Sequence, residues 1–210
     1  MTKASLVSPD NKSRASIRKK LCTKRKALST TFQKGAAEAL LLRLKKDIAV
    51  TKASHIALYL ANNGELDLQP FIHWCWQQNK NIYLPIVHPF SKGHLLFLRY
   101  EKNSTMTTNR YNIEEPKLDV RSIKPIQQLD IIITPLVAFD DTGARIGMGG
   151  GYYDRTLAKW HMHYTQETLY TPSIIGVAHD CQQIDKVPHE PWDIPLPSII
   201  TPTRTIKCNN

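Results

Sequence analysis

The chain has 210 residues, 41% of them hydrophobic and 22% charged, which fits one ordinary soluble domain with room for a real core. No apolar run approaches the ~18 residues a membrane helix needs, and no apolar stretch follows the N-terminal charges as a secretory signal requires. The formal charge is +10, and ten Lys and Arg against the single acid Asp10 fall within residues 1–34, so a nearly neutral globule carries a basic segment suited to a polyanion: nucleic acid, an acidic membrane surface or a phosphorylated small molecule.

Residues 1–12 are polar and aperiodic, which predicts a frayed start. Ser13 or Ser16 would cap a helix over about 14–28, with Ile17, Leu21 and Leu28 near one face. A second helix is expected at about 31–49, with Phe32, Ala36, Ala39, Leu40 and Leu44 inward. HIALYL (55–60) reads as a strand, followed by the polar loop 61–65 and a helix capped by Asp67 that runs to about Gln78. NIYLPIV (81–87) and LLFLRY (95–100) are two more strands. Residues 101–125, with Pro116 and Pro125, read as a long irregular connection.

LDIIITPLVAF (129–139) is the most hydrophobic strand. A glycine cluster from Gly143 to Gly151 follows, then a helix from Tyr152 to about His161, the strand SIIGVA (173–178), a proline-rich tail and the extended piece SIIT (198–201). Apolar strands alternating with helices predict an α/β fold: a mainly parallel sheet covered on both faces. Ligands in such folds sit beyond the carboxyl ends of the strands, which brings loops 61–65 and 140–151 together. The four cysteines are scattered without a C-x-x-C pair, against a zinc site or a disulfide scaffold and in keeping with a reducing cytoplasm. The eight histidines show no metal spacing, and His161 and His163 read as surface residues.

Strand, glycine loop and helix make a phosphate cradle, because glycine lets backbone N–H groups approach an anion and the helix N-terminus adds free donors. Arg145 adds a fixed charge. The competing reading is a tight strand–helix turn. The run is not a Walker A motif, since no Gly-Lys-Ser/Thr follows, nor a dinucleotide fingerprint. Asp154 in the first helical turn either complements the helix dipole or ligates a Mg²⁺ bridging phosphates.

The string ITPLVAFD-x-x-G-x-R-I-G-M-G-G-G-Y-Y-D-R resembles the signature of the 5-formyltetrahydrofolate cyclo-ligase family, and the similarity extends over nearly the whole chain. R-x-x-I-R-K-x-L-x-x-K-R-K-A-L resembles the family's basic opening helix, and IALYLANNGELDLQPFI its folate-loop strand. NIYLPIV, EPKLDV and IGVAHDCQQIDKVPHEPWDIPLPSIIT match later blocks. Some members carry Lys where this chain has Gly150, so that charge comes from elsewhere or is dispensable.

The resemblance implies a single domain over 1–210, with a Rossmann-like three-layer fold similar to the sugar-phosphate isomerase/CoA-transferase-like fold. It implies a cytoplasmic, monomeric enzyme that takes ATP as co-substrate with Mg²⁺ and closes 5-formyltetrahydrofolate to 5,10-methenyltetrahydrofolate. By similarity, Arg14 and Arg18 are ATP contacts, one helical turn apart and able to clamp one polyphosphate. Arg145, Ile146, Gly147, Met148, Gly149, Gly150, Gly151, Tyr152 and Tyr153 match the ATP loop, with Met148 to Tyr152 also near the folate. Leu60 and Glu65 match folate-binding positions, and Asp154 and Asp193 the magnesium ligands. Arg145, Tyr152 and Tyr153 are the catalytic candidates, one tyrosine orienting the formyl group. Lys19, Lys20, Lys24 and Lys26 read as a solvated face, Trp74 as core, and Trp192 as core or a stacking platform. A nucleic-acid-binding protein and a non-catalytic nucleotide-binding subunit are the competing readings. The first lacks interleaved aromatics and any RNA-binding or helix-turn-helix signature. The second need not keep Arg145, Asp154 and Glu65 together.

Overall fold

The computed structural model describes residues 9–166 and 172–208, so the frayed start expected at 1–12 falls mostly outside the described residues. Helix α1 spans Pro9–Lys26, five residues earlier than the apolar pattern suggests, because Pro9 supplies the pre-set φ of a first helical position. Ser13 and Ser16 therefore lie inside it and cap nothing. Ser29 caps α2 (Thr30–Leu44), accepting from the Phe32 N–H at 3.2 Å. The helix expected to 49 stops there. Asp47 Oδ1 accepts from the N–H groups of Ala49 (2.9 Å) and Val50 (3.3 Å) and starts a separate helix, α3 (Ile48–Lys52). Ala36, Leu40 and Leu44 are buried as expected, whereas Phe32 is 53% exposed.

Strand β1 (His55–Ala57) is followed by α4 (Gln69–Gln77), β2 (Asn81–Val87) and β3 (Leu95–Tyr100). The stretch expected to be irregular holds an antiparallel hairpin, β4 (Met106–Thr108) with β5 (Glu114–Pro116), and the short β6 (Ile123–Lys124). Sequence alternation over three residues is too brief to mark such strands. The long apolar run also divides: β7 (Ile131–Pro135) stays in the main sheet, while β8 (Ala138–Phe139) turns out to pair with β9 (Arg145–Ile146). Helix α5 (Tyr152–Gln166), β10 (Ser173–Val177), β11 (Ser198–Ile200) and β12 (Thr205–Lys207) complete the chain.

The main sheet has eight strands in the order β12-β11-β10-β7-β1-β2-β3-β6. The five central strands, β11 to β2, run parallel; β12 pairs antiparallel with β11 at one edge, and at the other β3 pairs antiparallel with β2 and β6 antiparallel with β3. One core packs α2 and α4 on one face, through Leu40, Leu44, Phe71 and Ile72. The other packs α5 on the opposite face, through Leu157 and Trp160. A third, smaller cluster seats α1 by Leu21 on Val137, Ala138 and Ile146. The result is the three-layer α/β arrangement. From β1 the chain moves outward to β2, whereas from β7 it moves the other way to β10 and β11. The switch point therefore lies between β1 and β7, where a parallel sheet opens a crevice at its carboxyl ends. No helix among the described residues is long and apolar enough to cross a membrane.

Candidate active site

The β8–β9 hairpin and the N-terminus of α5 bracket the glycine loop, and α1 lies alongside it. Arg14 and Arg18 project from one stripe of α1, a turn apart. Arg18 Nε donates to the Gly147 carbonyl at 2.8 Å, which fixes the guanidinium along the loop. Gly151 has φ +62°, and a Cβ there would sit 2.8 Å from the Arg155 guanidinium. Glycine adopts that left-handed backbone without strain and leaves the guanidinium where it is. Arg14, Arg18, Gly147, Gly149, Gly151, Asp154, Arg155 and Asp193 all line one cavity of about 520 Å³, with Ala158, Glu190 and Trp192 closing it.

The two expected metal acids each hold an arginine. Asp193 receives a bidentate pair from Arg14, one bond of which is 3.1 Å, and its Oδ2 also accepts from the Glu190 N–H at 2.8 Å. Desolvation pushes the Asp193 carboxyl up, but the Arg14 and Glu190 hydrogen bonds outweigh it and hold the group below the usual carboxylate range. Arg145 donates to Asp154 Oδ1 at 2.7 Å and to the Ile194 carbonyl. Burial lowers the Arg145 pKa, with Asp154, Asp193 and Tyr153 opposing the shift.

Arg145 is thus a buried support behind Asp154 rather than a wall of the cavity, and Ile146 beside it is fully buried. Met148 and Gly150 are exposed on the loop. The Arg155 guanidinium donates to the Gly150 carbonyl, and its Nε donates to Gly93 O at 3.0 Å, so a cation stands beside Gly150.

Among the described residues, no group of three or more His, Cys, Asp or Glu side chains forms a metal site by itself. The donor set nonetheless suits Mg²⁺, which keeps waters and takes one or two carboxylates plus substrate phosphates. Asp154 gives only Oδ1 to Arg145 and faces the cavity. Asp193 faces it too, but both of its oxygens are engaged by Arg14 and Glu190.

The two tyrosines diverge. The Tyr152 hydroxyl meets Arg110 at 2.7 Å and the Tyr111 hydroxyl at 2.6 Å, both at the tip of the β4–β5 hairpin. Those hydrogen bonds, Tyr111 first, lower its pKa. Tyr153 turns inward to the α5 core cluster. Burial raises its pKa, with Glu65 adding to the shift and Arg145 opposing it, so its hydroxyl stays neutral.

Glu65 stands at the end of the loop after β1. Its Oε2 accepts from the Asn62 N–H at 3.1 Å and its Oε1 from Arg25 at 3.3 Å. Burial raises the Glu65 pKa, and Arg25 partly offsets this. Leu60 is half-buried against the first core cluster.

Seven of the expected residues therefore share the cavity: Arg14, Arg18, Gly147, Gly149, Gly151, Asp154 and Asp193. Glu65, on the loop after β1, and Tyr153, turned to the α5 core cluster, are not among the residues lining it. Trp192 is 68% exposed on the cavity wall, open for stacking. Trp74 packs on the first cluster. Lys19, Lys20, Lys24 and Lys26 are exposed as expected. Arg25, in the same run, is not: it is fully buried. Arg110 and Tyr111 carry no motif that marks them, and Arg25 lies in the basic block R-x-x-I-R-K-x-L-x-x-K-R-K-A-L, which does not separate it from Lys24 and Lys26. Arg155 adjoins Asp154 inside the signature string.

The sequence profile described as the 5-formyltetrahydrofolate cyclo-ligase family matches residues 10–202. A 5-formyltetrahydrofolate cyclo-ligase of Escherichia coli strain K12 is 47% identical over 181 residues, covering 86% of this chain and 96% of the relative. The Haemophilus influenzae protein of that name is 43% identical over 187 residues, covering 89% and 96%. The solved structure of Aquifex aeolicus 5,10-methenyltetrahydrofolate synthetase superposes with a TM-score of 0.77 at 28% identity, covering 94% of this chain and 93% of that one. The Mycoplasma pneumoniae synthetase gives 0.67 at 26% identity, covering 90% and 98%. With one profile spanning nearly the whole length and two relatives above 40% identity, this chain belongs to the 5-formyltetrahydrofolate cyclo-ligase family of enzymes.

Proposed function

We propose that the chain uses ATP and Mg²⁺ to close 5-formyltetrahydrofolate to 5,10-methenyltetrahydrofolate, releasing ADP and phosphate. The observations that carry this reading are the shared cavity of Arg14, Arg18, the glycine loop and Asp154, and the carboxylate of Glu65 on the loop after β1 at the switch point. The first group suits a polyphosphate, and the second suits a heterocycle rich in N–H donors.

The N-formyl group is an amide, a poor electrophile with an oxygen that leaves poorly. The formyl oxygen attacks the γ-phosphorus; the new O–P bond forms as the bond to ADP breaks. The product is an N5-iminium phosphate. N10 then attacks the activated carbon, the carbon–oxygen bond to phosphate breaks, and the N10 proton is lost to solvent. Neither step needs a covalent enzyme intermediate, so the protein's part is alignment, charge stabilisation and exclusion of water.

Arg14, Arg18 and the loop N–H groups bind the triphosphate, and Arg155 adds charge where the loop has Gly150. Asp154, oriented by Arg145, would hold the Mg²⁺, with Asp193 joining where Arg14 turns to the phosphates. The ion, when bound, neutralises phosphate charge. Glu65 accepts from the pterin amino and ring N–H groups. Tyr153, kept neutral by burial, donates its hydroxyl proton toward the formyl oxygen, whereas Tyr152 holds the hairpin tip over the loop.

The test separates the two halves of the basic helix. Arg18→Ala should raise KM for ATP about tenfold or more, from loss of a charge-assisted phosphate contact, while Lys24→Ala leaves it unchanged. Equal effects would contradict the assignment.

A further inference from the structure

Arg25 is fully buried, which a guanidinium tolerates only when its donors are met. Nε donates to Asn63 O at 2.9 Å, one terminal nitrogen to Leu136 O at 3.2 Å, and the other to Glu65 Oε1 at 3.3 Å. The acceptors come from both sides of the switch point: Asn63 and Glu65 from the loop after β1, Leu136 from the residue just past β7. Gln182 Nε2 donates to the same Leu136 carbonyl at 2.5 Å and to Val137 O at 3.1 Å, so that carbonyl is clamped from two directions. The loop also rests on the helix backbone here. Gly64 has φ +75°, and a Cβ on it would lie 3.0 Å from Arg25 O.

Glu65 is therefore held by Arg25 on one oxygen and by its own loop, through the Asn62 N–H, on the other. Arg25 lies on the same stripe of α1 as Arg14 and Arg18, about 16 Å along the axis from Arg14. One rigid helix thus carries the cations of the nucleotide cavity at one end and the support of the Glu65 loop at the other.

We infer that Arg25 is a positioning residue, which aims Glu65 and fixes its loop for the pterin without touching either substrate. The inference rests on the reading of Glu65 as a folate acceptor. A purely architectural arginine would affect both substrates alike, because α1 serves both sites. A positioning role through Glu65 affects one. Lysine keeps the charge but cannot direct three bonds from a planar fork.

Steady-state kinetics with each substrate varied tests the role in R25Q, R25K, E65Q and the R25Q/E65Q double variant. R25Q should raise KM for 5-formyltetrahydrofolate tenfold or more and hold KM for ATP within twofold. R25K should recover part of that loss. On the E65Q background, R25Q should add less than twofold, since its action passes through Glu65. A parallel rise in both KM values, or fully multiplying effects in the double variant, would overturn the role. If E65Q alone leaves the folate KM unchanged, the Glu65 reading fails and this role with it. A selective E65Q effect without a selective R25Q effect removes Arg25 only. Should R25Q not fold, R25K takes its place: a rise confined to the folate KM supports the role, and a rise in both or in neither overturns it.

Discussion

Arg145, 5% exposed, donates to the carboxylate of Asp154 at 2.7 Å from beneath the glycine loop. The pair joins β9 to the first turn of α5 and so fixes the acid that faces the cavity. Arg145→Ala leaves Asp154 without its support and removes a buried charge that holds the Ile194 carbonyl. Turnover should fall by about 10²-fold or more, as for loss of a preorganised electrostatic group. Stability should fall towards the lower end of the roughly 3–5 kcal/mol lost on breaking a buried pair, because Asp154 is partly exposed. Lys24→Ala, at an exposed site, should alter neither. Kinetics and thermal unfolding of the two variants check this.

The Arg14–Asp193 pair makes stability depend on acid. The Asp193 pKa is held down in the folded chain. Its contribution is therefore complete above the unfolded value of about 3.9 and is lost as pH falls through the lower folded value. The gap in Tm between the native chain and Asp193→Asn should be constant from pH 7 to 5 and close below about pH 4. A gap that widens on acidification would contradict the pairing.

Glu65 shifts the other way, its pKa raised by burial. It loses its charge on acidification sooner than an ordinary glutamate, whose pKa is about 4.3. If the ionised carboxylate receives the pterin, KM for 5-formyltetrahydrofolate rises as pH falls through that raised value. Glu65→Gln should lift KM at neutral pH and erase this inflection. KM for ATP, measured in parallel, should keep the same pH profile in both proteins.

The two adjacent tyrosines should separate in kinetics. Tyr153→Phe removes a buried, neutral hydroxyl and should lower kcat by about 10²–10³-fold, the size of one positioned donor. Tyr152→Phe removes the contacts to Arg110 and Tyr111 and should have the smaller effect on kcat. It should expose the hairpin tip at 109–113, seen as faster cleavage there by a protease. The reverse order of kcat effects would exchange the two roles.

Much of the site was legible because it lies in contiguous strings. Arg14 and Arg18 are a turn apart, and the glycine run leads directly into Asp154. The sheet was legible from apolar strands alternating with helices, although the antiparallel edges were not, since β6 and β12 span two and three residues. Arg25 was hidden for a physical reason. It sits between Lys24 and Lys26, and nothing local distinguishes the one basic residue whose partners, Asn63, Glu65 and Leu136, come from distant parts of the chain. Arg110 and Tyr111 were hidden likewise, in a hairpin whose strands are three residues each and whose position over Tyr152 is tertiary.

The most direct measurement is the reaction itself. Purified protein is mixed with 5-formyltetrahydrofolate, ATP and Mg²⁺, the methenyl product is followed by its absorbance, and ADP is assayed alongside. The account predicts product only when ATP and Mg²⁺ are both present, with one ADP formed for each methenyl-folate. Absence of product, or product formed without ATP, would contradict it.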